Sequence, residues 1–330
     1  YFPINQKVIL TDVSPGSLMT VAMEVPPLNL VISTGAKLFS QGKIRHYKRN
    51  GEEYETSDLI KFLKRPNPIQ ASSNYLYEYY VLHCVYNKTF QHRLQGVSPL
   101  LRKVPDALWL LPSGWMKINA TGKIYSQTKK EDIIESFELM GVGANGNERE
   151  KYEVDRVIYL ANGIGGNILN PISPIESLQM PLSNIVAGLK SRNIILSERG
   201  MIGFLSQNTQ SVGGDQVPPD KDEVKRMRQE YQGEYGLNSN GGHVGFTHSD
   251  VKWVPMAFDV KQLAILEGFE SDFSQIVDMY GHDRDIYSSV KGATFENKKE
   301  GMKSTILNGI VPIANALAEE WTRNFCEEGE

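Results

Sequence analysis

Apolar positions recur every third or fourth residue at both ends of the chain and every second residue through much of its middle. The helical period predicts a helix within Leu18–Phe39 after Pro26-Pro27, and a short one capped by Asp58 with Leu59, Phe62 and Leu63 inward. Pro66 and Pro68 end the latter, and Ser72 or Ser73 can cap the next, which carries Leu76, Tyr80 and His83 on one side. From Ala107 to Leu160 short runs separated by Gly/Asn turns predict strands. The helical period returns over Ser173–Gly200, with Leu182, Ile185, Val186 and Leu189 on one face and Pro181 in its first turn.

Residues Met201–Met256 then read as a separate small unit. "MIGFLSQ" predicts a strand, and "HVGFTHSDVKWVPMAF" one or two more. Between them Asp220 can cap a helix carrying Val224, Met227 and Tyr231. A long helix comes next, capped by Asp259, striped by Val260, Leu263, Leu266, Phe273, Ile276, Val277 and Tyr280, and ended by Gly281. After a charged loop, the last helix aligns Met302, Ile306, Ile310, Ile313, Leu317 and Trp321. Pro312 lies inside that stripe and predicts a bend, because it removes one backbone hydrogen bond and crowds the preceding turn. Two long helices flanking a small unit make a stalk with a head, an arrangement uncommon in a monomeric enzyme.

Charge narrows the functional classes. The 330 residues carry a formal charge of -4, so the chain as a whole is no electrostatic clamp for nucleic acid. Cys84 and Cys326 read as small buried side chains in a reducing environment. No apolar run approaches the roughly 20 residues that span a bilayer. Gly141–Gly146 spells G-x-G-x-x-G, but "NEREKYEVDRVIYL" after it turns to strand, and a pyrophosphate needs a helix N-terminus there. Gly163–Gly166 lacks the Lys-Ser/Thr pair of a phosphate loop. The six histidines make no H-x-x-x-H pair, so no metal site is expected. No Gly-x-Ser-x-Gly occurs, and no set of catalytic roles assembles. Lys221, Lys225, Arg226 and Arg228 put positive charge on the short helix of the small unit, which reads as a solvated face or a docking edge. In the late loop Lys291, Lys298 and Lys299 alternate with Asp283, Asp285 and Glu296.

Several stretches, taken in order, resemble the portal proteins of tailed bacteriophages. "LIKFLKRPNPIQASSNYLYEYY" is similar to the family's leucine-rich segment, Pro-Asn-Pro turn and helix. "LWLLPSGWMKI" resembles its L-x-P strand, and "DRVIYLANGIGGNILNPISPIESL" the run into its Gly-x-Ser-Pro turn, with "LNPISPI" in place of the glycine. "FSQIVDMYGHDRDIYSS" resembles the helix before the tunnel loop, without the usual Gly-Val-Pro. "TFENKKEGMKSTILNGIVPIANALAEEW" resembles the Asn-containing turn and kinked helix after it. The resemblance runs from about Asp58 to Trp321.

The resemblance implies an α+β portal fold with a mixed α/β wing, a two-helix stem, a small α/β clip, a tunnel loop and a kinked helix. Carried onto this chain, residues 1–173 are wing, 174–200 the first stem helix, 201–257 the clip, 258–281 the second stem helix, 282–297 the tunnel loop and 298–330 the kinked wing helix, with a crown short or absent. It also implies a homo-oligomeric ring, usually a dodecamer, at one capsid vertex of the virion, assembled in the host cytoplasm. Double-stranded DNA passes through without sequence reading; terminase, the major capsid protein or scaffold, and a head–tail connector protein are the partners. No cofactor, membrane or catalytic residue is implied. DNA-facing residues would be His282, Arg284, Ser288, Ser289, Lys291, Lys298 and Lys299; terminase-docking residues Lys221, Lys225, Arg226 and Arg228; the kink Pro312. The alternatives are another phage connector ring, or a nucleotide-binding metabolic enzyme using Gly141–Gly146.

Overall fold

The computed structural model describes residues 15–48, 50–55, 57–95, 104–142, 148–163, 168–197, 203–207, 251–255, 265–287 and 295–326. It divides into two compact units: Tyr1–Leu182 with Phe273–Glu330, and Ser183–Asp272.

The larger unit opens with two helices where the period suggests one, α1 (Pro15–Glu24) and α2 (Pro26–Ser40). Val25 separates them with φ -89° and ψ 104°, because a residue before proline is pushed out of the helical region. α3 (Asp58–Lys64) is capped by Ser57, whose hydroxyl accepts from the Ile60 amide; Asp58 sits in the first turn and pairs with Lys61 instead. α4 (Ser72–Tyr86) is flanked by Ala71 with no side-chain cap, so neither serine plays the expected role. Every residue of α4 from Tyr79 to Tyr86 is buried. A helix enclosed on all sides has no polar stripe, which is why a one-sided reading of it is incomplete.

Two antiparallel sheets follow, and the first of them packs against α4. One has the order β2-β1-β6, from β1 (Lys88–Leu94), β2 (Ala107–Leu111) and β6 (Val157–Ala161). The other is the meander β3 (Met116–Ala120), β4 (Ile134–Val142) and β5 (Glu148–Tyr152), preceded at β4 by the one-turn α5 (Lys130–Ile133). Phe90, Leu111, Met116, Ile134, Phe137 and Val157 form the core these strands share. The strands expected between Ala107 and Leu160 are present. β1 escapes the alternation rule because Thr89 and Gln91 are buried along with Phe90.

The helical stretch after Ser173 is divided at Leu178 into α6 (Pro174–Ser177) and α7 (Gln179–Ser197), and Leu182, Ile185 and Val186 are buried as the period predicts. In the smaller unit β7 (Gly203–Gln207) pairs antiparallel with β8 (Val251–Pro255), setting Leu205 opposite Trp253. The expected helix at Asp220 lies outside the described residues. α8 (Ile265–Met279) then leads back into the larger unit.

α8 stops as predicted at Gly281, which takes φ 66°. The His282 amide donates to the Val277 carbonyl and the Gly281 amide to the Asp278 carbonyl, the paired bonds of a glycine-terminated helix. After α9 (Phe295–Thr305) the chain makes a π-helical turn, Ile306–Ile310, and continues as α10 (Val311–Phe325). Pro312 has no amide to give the Asn308 carbonyl, and the Val311 amide reaches back to Ile306 across the wider turn. The extra residue rotates the helix beyond it by about 100°. The expected single stripe is therefore broken. Thr305, Ile310, Leu317, Trp321 and Phe325 are buried, while Met302 and Ile306 are exposed.

Candidate functional site

The end of α8, the turn after it and the α9–α10 helix meet in one tightly built joint inside the larger unit. Glycine at Gly309 makes the meeting possible: a Cβ there would lie 2.8 Å from the Tyr280 carbonyl oxygen and 3.0 Å from the His282 ring. Gly281 faces it from the other side, with the Gly309 Cα 3.2 Å from where its own Cβ would stand. The two backbones touch because neither carries a side chain.

Tyrosines and a histidine fix the turn to the body. The Tyr280 hydroxyl donates to the Cys84 carbonyl of α4 at 3.2 Å. The His282 Nε2 is 3.2 Å from the Tyr80 hydroxyl of α4, and its Nδ1 is hydrogen-bonded to the Tyr287 hydroxyl. Tyr80 in turn needs Gly35 of α2, where a Cβ would come 2.3 Å from the phenol oxygen. Burial lowers the His282 pKa to about 4, so the imidazole is neutral at pH 7 and uses one nitrogen as donor and the other as acceptor. Burial also raises the phenols of Tyr80, Tyr280 and Tyr287, which stay protonated.

The turn itself is held at its start by Asp283. The Asp283 amide donates to the Thr305 hydroxyl at 2.9 Å, and the Asp283 carboxylate accepts from the Asp285 amide at 3.0 Å. That second bond caps a 3-10 turn at Arg284–Ile286. Gly301 lets α9 approach the same carboxylate, since its Cβ would stand 3.1 Å from Asp283 Oδ1.

These contacts redistribute the expected DNA-facing residues. His282 is a correction: it is 5% exposed and saturated by two tyrosines, so it anchors the turn rather than facing solvent. Arg284 is exposed and pairs with Asp278 at 2.7 Å. Lys298 and Lys299 are exposed near the start of α9, which begins at Phe295; residues 295–297 are already helical where a loop was expected. Residues 282–287 form the packed turn just described. Ser288, Ser289 and Lys291 lie outside the described residues, as do Lys221, Lys225, Arg226 and Arg228. Pro312 is exposed immediately after the π turn. Sequence reasoning put Tyr80 and Tyr280 on helix faces without bringing them to this joint, and it missed Tyr287 and Thr305. The available signal was the set Gly281, Gly301 and Gly309, spaced among aromatic residues.

The features that could carry an enzyme resolve differently. Gly141 and Val142 end β4, and β5 pairs back on it antiparallel, so the segment after the glycines enters a strand and not a helix. Burial lowers Lys130 to a pKa of about 8, but its ammonium is engaged by the carbonyls of Val154 at 3.3 Å and Val157 at 2.6 Å. It ties α5 to β6. Among the described residues, no three His, Cys, Asp or Glu side chains gather as metal ligands, and no helix is long and apolar enough to cross a membrane.

Comparison with known proteins gives a consistent answer. A family model described as phage portal protein matches residues 31–330. The structure is similar to a chain in the neck of an empty gene transfer agent particle computed with C6 symmetry, with TM-score 0.66 and 14% identity over 97% of this chain and 83% of that one. A neck of the native particle computed with C12 symmetry gives TM-score 0.63 and 14% identity over 96% and 82%. An HK97 family phage portal protein from Corynebacterium diphtheriae gives TM-score 0.58 and 13% identity over 91% and 88%. At these identities the structures show the fold. No curated protein matches.

Proposed function

The chain belongs to the phage portal protein family, and from that premise we propose that copies of it form a ring, a dodecamer, whose channel passes double-stranded DNA during packaging and ejection. The family match over residues 31–330 carries this reading. The C12 symmetry of a neck that shares the fold supports the subunit number. A head-to-tail contact repeated through a closing rotation makes such a ring.

A conduit has to touch DNA weakly. Many simultaneous phosphate contacts would hold the duplex and make its passage steeply dependent on salt. A formal charge of -4 with scattered lysines meets that need. Residues 288–294, between the anchored turn and α9, are the segment we assign to the channel wall, with Lys291 the nearest to phosphate and Ser288 and Ser289 beside it. Lys298 and Lys299 flank it on α9. Residues 201–257 serve as the clip, where Lys221, Lys225, Arg226 and Arg228 dock terminase, and later a head–tail connector protein. The terminase supplies ATP hydrolysis, so the chain itself needs no catalytic residue. The ring sits at one vertex of the virion, against capsid or scaffold protein, after assembly in the host cytoplasm.

Electron microscopy of the purified protein tests the proposal. Rings with an open centre are expected. A particle that remains monomeric at high concentration, with its termini intact, would overturn it.

A further inference from the structure

The C-terminal end of α10 brings a thiol to an imidazole. Cys326 Sγ lies 3.6 Å from His46 Nε2, and His46 Nδ1 lies 2.8 Å from the Ser57 hydroxyl. Cys326 and His46 are 280 residues apart in sequence, so only the fold pairs them. Both are partly exposed.

Three contacts hold this arrangement. Ser57 is the cap of α3 and accepts from the Ile60 amide, which fixes its oxygen. The His46 ring packs on Tyr54, centroids 4.4 Å apart. Phe325, next to Cys326, meets Phe62 of α3 edge-on at 6.4 Å. The Ser57 oxygen retains a lone pair for an Nδ1–H donor. That tautomer leaves the Nε2 lone pair directed at the sulfur.

We propose that Cys326 and His46 form a reactive thiol site that takes low-molecular-weight disulfides and carries a reversible mixed disulfide. The thiol proton moves from Cys326 Sγ to His46 Nε2. The thiolate attacks one sulfur of the incoming disulfide; the new S–S bond forms as the old one breaks. The departing thiolate recovers the proton from His46. The exchange balances without any further oxidant. A thiolate beside a protonated imidazole is the usual chemical setting of a reactive cysteine.

The surrounding charges are largely matched in pairs. Arg45 pairs with Glu53, Lys48 with Glu52, Asp58 with Lys61 and Arg323 with Glu320. Glu327, Glu328 and Glu330 come next in sequence and lie outside the described residues. The His46 imidazole meets the sulfur at 3.6 Å and can exchange a proton with it. Cys84 provides an internal contrast. It is 3% exposed, and burial raises its thiol to about 12, so it stays protonated and closed to reagents.

The full chain is treated with oxidised glutathione, and the adducts are located by peptide mass spectrometry. One adduct at Cys326, none at Cys84, and none in Cys326→Ser are expected. The pH profile of iodoacetamide alkylation at Cys326 should show an apparent pKa below the ordinary value of about 8.5, and His46→Gln should restore that value. A wild-type profile at or above about 8.5 overturns the proposal, and so does a depressed value that His46→Gln leaves unchanged. Where His46→Gln does not fold, by circular dichroism, the wild-type profile decides alone.

Discussion

His282 and His83 are both interior, and burial lowers each to a pKa of about 4. An unfolded histidine titrates near 6.5, so both groups bind protons more readily after unfolding. The folded chain therefore has this stability in full above pH 6.5 and loses it as pH falls through the range down to about 4. Each group contributes on the order of 3 kcal/mol to that loss. His282→Gln should start less stable at pH 7, because two tyrosine hydroxyls lose their partner, yet decline less steeply on acidification. Denaturant titrations of both proteins at pH 7, 5.5 and 4.5 measure this. Parallel declines would mean that His282 is not held neutral. None of this was legible in the sequence. "GHDRD" reads as a charged loop because its neighbours are charged, and only the tertiary contacts with Tyr80 and Tyr287 turn His282 inward.

At the scale of elements, the helix ends set by backbone chemistry were the most legible part. Gly281 stops α8 as a left-handed glycine must, and Pro26 starts α2. Caps were less so: Ser57 and Asp58 are both good cap residues, and a shift of one position decides between them. The late stripe failed for a geometric reason. Periodicity assumes one helical pitch, and the π turn at Ile306–Ile310 changes it in mid-helix. That turn packs against Gly281 through Gly309, which sets up a sharp contrast between two glycines. Gly309→Ala forces a Cβ against the fixed backbone of Tyr280 at 2.8 Å and should cost about 1–3 kcal/mol. Gly268→Ala, in α8 with nothing within 4 Å, should instead stabilise by about 0.5–1 kcal/mol. Thermal melts of the two variants check the signs. Equal shifts would show that the joint yields easily.

For the whole molecule, fold class and family were legible because they rest on the order of many loose motifs, and order survives where individual letters drift. The channel-facing residues were less legible, since facing an axis is a property of the assembly. Lys291 is the decisive residue. It lies in the segment bounded by the Tyr287 anchor and the start of α9. On the proposed assignment to the channel wall, substitution there should leave folding and ring formation intact, because a surface change away from caps and cores usually costs within about 0.5 kcal/mol. Removing one cation from every subunit should still alter DNA passage, since the loss repeats around the axis while each single contact is weak. Lys291→Ala is therefore expected to give normal rings by microscopy and altered packaging, measured as DNA retained per particle after nuclease treatment. Rings that fail to form while the protein folds, or that form and package like wild type, would place Lys291 away from the channel. The first of these outcomes would put the segment in a contact between subunits, where a lost charge weakens assembly and not passage.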